Sequence, residues 1–242
     1  MEILPQFLLR LAFGLAVGMA ITSPRKVSSG FFRNHLYVTL GLTTLAALVL
    51  SQVGGISAGL ATVAAVLSFL GAAAWLYECQ GMGRALIVAI AGFSLAAGWA
   101  ATSPDLFHAV AFVTSGLVLG GVFTCMLLGH WYLNAPGMEL APLRRLIVMA
   151  AIAVALQMLV AGSGLGLEAS HRTSVGIDWL LFIALRWLFG LFGVLGLLWM
   201  AWQTLKIPNT QSATGILYVA VIGVFIGELT GLLLSAESAF PL

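Results

Sequence analysis

Eight apolar stretches, at about residues 5–22, 36–54, 58–77, 84–102, 106–128, 144–164, 176–204 and 212–235, take up nearly all of a 242-residue chain. A membrane-spanning helix needs about 20 apolar residues, because the hydrocarbon core is ~30 Å thick and a helix rises 1.5 Å per residue. Within lipid every backbone N–H and C=O must be bonded inside the protein, so only helices and closed barrels can cross. No stretch alternates with the two-residue period of a barrel strand. The expected fold is therefore all-α: a polytopic transmembrane helix bundle of about eight spans, forming one integral membrane domain over residues 1–242. Composition agrees. The chain is 61% hydrophobic and 7% charged, whereas a domain facing water on all sides is about a quarter charged.

Helix-breaking clusters separate the stretches. Ser23-Pro24-Arg25-Lys26 closes the first, and Gly54-Gly55 divides the second from the third. Ser103-Pro104-Asp105 precedes the fifth, Asn134-Ala135-Pro136-Gly137 follows it, and Pro208-Asn209 precedes the eighth. The opening MEILPQFLLR lacks the basic region of a signal peptide, so the first stretch is expected to be a retained helix.

Seven basic residues (Arg25, Lys26, Arg33, Arg84, Arg144, Arg145 and Lys206) fall in the breaks on one side, against Arg172 on the other. Lys and Arg accumulate in cytoplasmic loops. That bias predicts a cell inner membrane of cytoplasmic type, with both termini on the non-cytoplasmic side. It also places Cys79 and Cys125 near the cytoplasmic surface as free thiols. No run of Lys and Arg suggests nucleic acid as a partner. Phosphate-binding loops, Gly-x-Ser-x-Gly and His-Glu-x-x-His are all absent.

Two short patterns recur. Leu9-Arg10-x-x-Phe13-Gly14-Leu15 in the first span matches Leu185-Arg186-x-x-Phe189-Gly190-Leu191 in the seventh, and Leu36-Tyr37-Val38 matches Leu217-Tyr218-Val219 in the spans that follow. Arg84-x-Leu86-Ile87-Val88 likewise matches Arg144-x-Leu146-Ile147-Val148. Members of each pair run the same way through the membrane. They fit either duplication of a two-helix hairpin or the chance likeness of apolar segments.

Ionisable groups within spans are costly and need partners. Arg10, Arg186, Glu228, Asp178, His108 and Gln157 fall at similar depth in the outer half, and predict one polar cluster with Arg10, Arg186 and Glu228 at its heart. Two guanidiniums against one deep carboxylate leave surplus positive charge. Such a site would attract an anionic or carbonyl-bearing ligand: a quinone, a haem propionate, a lipid phosphate or a carboxylate solute. The rival readings are a structural Arg186–Glu228 pair and an Arg10 that snorkels to the headgroups. Residues 162–178 read as a flexible outer loop, either solvated or able to cover the cluster.

On the other face, Gly129-His130-Trp131-Tyr132 ends the fifth span, where Trp131 and Tyr132 suit the interfacial belt or an interface with a partner. His130, His35, Glu78, Cys79 and Cys125 share that level and could ligate a metal or haem, though without the tight spacing that marks such sites. His108 and His130 share a span but stand 22 residues apart, about 33 Å at 1.5 Å per residue, too far for a compact pair of haems. Gly116, Gly120 and Gly121, with Gly190, Gly193 and Gly196, read as faces for close helix packing.

The function expected from these features is a membrane subunit of a larger complex, respiratory or electron-transferring. It would bind quinone, lipid or a partner's cofactor through the buried Arg and Glu, beside membrane lipids and other membrane or peripheral subunits. Quinone and haem b are the candidate cofactors. The alternatives are a small-solute or ion transporter using Arg186 and Glu228, and a membrane enzyme or metal protein using the cytoplasmic-face His, Glu and Cys.

Overall fold

The computed structural model describes residues 3–102, 105–135, 137–171, 176–207 and 209–242. Ser103, Pro104, Pro136, Arg172 and Pro208 therefore lie outside the described residues. The helices are α1 (Ile3–Ile21), α2 (Ser29–Ser51), α3 (Ile56–Leu76), α4 (Gln80–Ala100), α5 (Leu106–Asn134), α6 (Ala141–His171), α7 (Ile177–Ala184), α8 (Val194–Lys206) and α9 (Thr210–Ala236). A π-helical segment, Leu185–Gly193, joins α7 to α8 in one continuous rod. Counting that rod as one, eight helices among the described residues are long and apolar enough to cross a membrane. Among the described residues there is no strand. The chain is an all-helical, multi-pass membrane protein.

The bundle has a clear inside. In their most apolar windows α1 is 78% buried, α5 67% and α9 56%, while the others lie between 22% and 39%. α1, α5 and α9 therefore form the central column. α1 packs on α2, α4 and α5, while α5 packs on α6 and α9. α2, α3 and α4 stack in sequence on one flank, and α6 and α8 close the other. Side chains outside the column point large apolar groups outward, such as Leu48, Phe69, Leu159 and Trp199, as lipid contact requires.

Contacts between connections sort the helix ends onto two sides. Lys26 bonds Glu139, Trp131 donates to Ser28, and the Arg144 guanidinium donates to the Leu205 carbonyl. These mark the side that carries the seven clustered cations. Gln6 donates to the Gly98 carbonyl, and the Ala239 amide to Glu168, which marks the other. Between α2 and α3 the turn uses Gly54 and Gly55 at φ +80° and +102°, a backbone region that side chains strain to enter.

Two expectations need correction. α6 continues to His171, so most of residues 162–178 is helix and not a flexible loop. Three alternate glycines (Gly162, Gly164 and Gly166) suggested a break, yet each can stay helical because a membrane backbone must keep its internal bonds. Gly164 also lies so near the Pro241 carbonyl that any Cβ there would collide with it. As expected from the break after it, α5 ends at Asn134, with His130, Trp131 and Tyr132 in its last turns. The seventh span is not a regular α-helix, since its middle winds as a π-helix around Arg186.

Candidate functional site

The repeated Arg-x-x-Phe-Gly pattern does the same job twice. Residues four apart lie on one helix face, so each arginine shares a face with the glycine after it. Gly14 touches α5 backbone to backbone: a Cβ at Gly14 would overlap Gly116 and Gly120, and one at Gly120 would overlap Gly14. Gly190 meets Gly227 of α9 in the same way, with a Cβ falling 2.5 Å from the opposite Cα. Close approach of the helices at each glycine carries the arginine one turn away into the bundle interior. Small residues permit this contact in membranes, where van der Waals packing drives helix association.

Both arginines consequently end inside. Arg186 is 1% exposed, and its Nη1 lies 2.7 Å from Oε1 of Glu228, itself 2% exposed. The other carboxylate oxygen, Oε2, accepts from the Ser115 hydroxyl of α5. One residue earlier, the Thr114 hydroxyl donates to Oε1 of Gln157 on α6. Arg10 is also buried, which goes against the rival reading that it snorkels to the headgroups. Its guanidinium carbon sits 5.3 Å from the centre of the Phe112 ring, a cation–π arrangement. It lies within electrostatic reach of both Glu228 and Arg186. Its Nε has no hydrogen-bond partner among the described residues.

Arg10, His108 and Gln157 line one narrow cleft with Ser235, Pro241 and Leu242. Its volume is about 10 Å³, barely what one water needs. It is narrow because residues 237–242 fold back over the outer end of the bundle. The Ala239 amide donates to the Glu168 carboxylate at 3.2 Å and the Leu242 amide to the Ser235 hydroxyl at 2.9 Å. Phe240 packs on Phe107 and His171. His108 pairs through Nδ1 with Asp105 at 3.2 Å.

Of the predicted outer cluster, Arg10, Arg186, Glu228, His108 and Gln157 thus converge from five spans. Asp178 does not join them. It stands exposed in the first turn of α7, because the helix begins only at Ile177 and its first turn lies above the packed interior. Ser115 and Thr114 belong to the network although the sequence reading passed over them. Their signal was adjacency to Gly116 on the α5 face that meets α1.

The inner-face set stays dispersed. His35 is buried, with Nδ1 against the Phe31 carbonyl and its ring on Phe31. His130 pairs with the Tyr218 hydroxyl at 3.2 Å. Cys79 is exposed and Cys125 buried, while Glu78 is exposed at φ +57°. Among the described residues no three His, Cys, Asp or Glu side chains are grouped to hold a metal ion. Trp131 and Tyr132 are engaged within the chain, Trp131 with Ser28 and Tyr132 with the Glu139 carbonyl at 2.7 Å. No family model, curated protein or solved structure matches the chain.

Proposed function

We propose that this protein is the membrane subunit of a larger electron-transfer assembly, and that it holds the carbonyl-bearing headgroup of a quinone at Arg10. One observation carries the reading: a second buried guanidinium beside an ion pair that is already complete. Glu228 is matched by Arg186, which leaves Arg10 as surplus positive charge in a low-dielectric interior. A buried site with two cations to one acid is unfavourable, and a ligand offering carbonyl oxygens or negative charge would offset that cost. The neighbours suit a quinone. Arg10 and the Gln157 amide supply donors, and the His108 imidazole adds a group able to exchange a proton. A headgroup needs far more room than the cleft offers, since small-molecule sites enclose about 300 Å³ or more. Binding therefore entails displacement of residues 240–242 from the cleft.

The seven clustered cations orient this site toward the non-cytoplasmic side of an inner-type membrane by the positive-inside bias. The test is titration of the purified protein in nanodiscs with a short-tailed naphthoquinone. Wild type is expected to bind it, and Arg10→Gln to weaken binding at least tenfold with the fold intact. Equal affinity in both would overturn the reading.

A transport reading rests on a separate feature, the π-helical turn around Arg186. π-helical turns are frequent at functional sites, and this one interrupts a span at mid-membrane. Flux of an organic anion into vesicles holding this chain alone, lost in Arg186→Gln, would favour transport over the subunit reading.

A further inference from the structure

We infer that the α1–α6 face carries a dedicated site for one anionic phospholipid, on the cation-rich side and independent of the outer cluster. Two adjoining hollows make the case. The first is a cleft of about 260 Å³ between the end of α1 and the start of α6, lined by Lys26, Arg145, Thr22 and Ser23. The second is an apolar groove of about 110 Å³ between the same helices, floored by Gly14, Gly18 and Gly121. Ile21 and Leu146 line both hollows, so they are continuous.

Their combined shape is that of a lipid. The groove opens sideways, because Met149, Ile152 and Leu156 along its α6 wall are 41%, 49% and 44% exposed on the surface that faces the hydrocarbon. Along α6 it extends from Leu146 to Leu156, about 15 Å at 1.5 Å per residue. Half of a ~30 Å hydrocarbon core is the same length. The groove therefore spans one leaflet, from the interface to the midplane, as an acyl chain does. The charged cleft stands at the headgroup end.

Charge selects the headgroup. Lys26 is bonded to Glu139 at 2.6 Å, with both side chains substantially exposed, and Arg144 is turned away to the Leu205 carbonyl at 2.6 Å. Arg145 is exposed at the cleft and makes no ion pair or hydrogen bond among the described residues. A phosphodiester seated there would take Arg145 directly and share Lys26 with Glu139. A headgroup that also carries a cation, such as phosphocholine, would bring its positive charge into the same basic cleft. Basic pockets between helices on the cytoplasmic side are suited to acidic lipid headgroups.

The experiment uses the full-length protein in detergent, titrated with phosphatidylglycerol, phosphatidylcholine or glycerol phosphate and read by native mass spectrometry. Wild type is expected to retain phosphatidylglycerol in preference to the other two. Each cation near the surface contributes about 1 kcal/mol to binding an acidic lipid, so the double variant Lys26→Gln/Arg145→Gln should lose about thirtyfold in affinity. Arg84→Gln, an exposed cation on the same side outside the cleft, should lose nothing. Gly121→Leu should occupy the groove and weaken phosphatidylglycerol binding while the cleft remains. Its Cβ finds ordinary contact with Ala150 at 3.7 Å, and lipid-facing Ile152→Trp serves the same purpose should that variant not fold. Equal retention of both phospholipids, equal loss in Arg84→Gln, or equal binding by glycerol phosphate would each overturn the site. The last result would mean that the cleft takes a free phosphate and the groove plays no part.

Discussion

Replacing Glu228 by Gln removes one negative charge from the interior and almost nothing else. Shape is retained: the amide oxygen can still accept from Arg186, and the amide nitrogen in the place of Oε2 can donate to the Ser115 hydroxyl, which turns to accept it. What changes is that two buried guanidiniums, Arg186 and Arg10, lose the carboxylate that faces both. Breaking a buried ion pair by deleting one partner costs about 3–5 kcal/mol, and total stabilities run about 5–15 kcal/mol. Glu228→Gln should therefore cost about 3 kcal/mol. Glu228→Ala should cost more, about 5 kcal/mol, because the two hydrogen bonds to a charged acceptor go as well. The distinctive outcome lies in the cycle with Arg10. In the Glu228→Gln background, Arg10→Gln removes a repelling charge and should restore about 1–2 kcal/mol, the coupling expected of groups in one network. Unfolding by sodium dodecyl sulfate, followed by helical circular dichroism in mixed micelles, measures all four corners. Strict additivity of the two substitutions would refute the shared electrostatic site, as would a loss below about 1 kcal/mol for Glu228→Gln alone.

Two further outcomes follow from the packing and the threading. Gly190→Ala puts a methyl 2.5 Å from the Gly227 Cα and should cost about 2 kcal/mol or more through overpacking, whereas Gly41→Ala, with nothing within 4 Å, should be neutral or stabilising by up to about 1 kcal/mol. The same unfolding assay checks both, and equal effects would contradict the close contact of the π-helical segment with α9. In sealed vesicles a membrane-impermeant maleimide should label exposed Cys79 from the cation-rich side and an introduced Ser170→Cys from the other, leaving buried Cys125 untouched; labelling of both surface positions from one side would break the eight-span threading.

The spans were legible because the bilayer permits so few solutions. Length and apolarity located eight helices, and breaks such as Gly54-Gly55 separated them well. Charge depth was legible too: counting residues from the span ends put Arg10, Arg186 and Glu228 near one level, where they do converge. Azimuth was not. Whether Arg10 faces lipid or interior depends on the neighbour that Gly14 meets, and the sequence of α1 alone does not contain α5. Hydroxyls were hidden for a related reason. Ser115 and Thr114 look like ordinary small residues until α9 and α6 present Glu228 and Gln157 to them. Asp178 erred the other way: its position along the chain matched the cluster, but α7 starts so late that the side chain is left outside. The tail was unreadable, because Phe240-Pro241-Leu242 owes its place to Phe107, His171 and Ser235, on two distant helices and the near end of a third.

The π-helical turn and the surplus arginine bear on the same energetic question. A fold that needed only to join α9 to the seventh span could do so with apolar side chains, since exchanging a buried ion pair for packed hydrophobic groups is often neutral or stabilising. Here the interior holds the pair and also a second guanidinium, backed by one aromatic face at 5.3 Å and, among the described residues, making no ion pair of its own. The span bearing Arg186 departs from α-helical winding over nine residues just where the pair is made. Each feature adds cost at one depth, on α1 and α9 of the central column and on the seventh span beside them. Phe112 offsets only part of it, since a desolvated cation–π contact contributes about 2 kcal/mol. The remainder would be recovered when an oxygen-rich ligand enters beside Arg10, so ligand binding should raise the unfolding midpoint of wild type and leave that of Arg10→Gln unchanged.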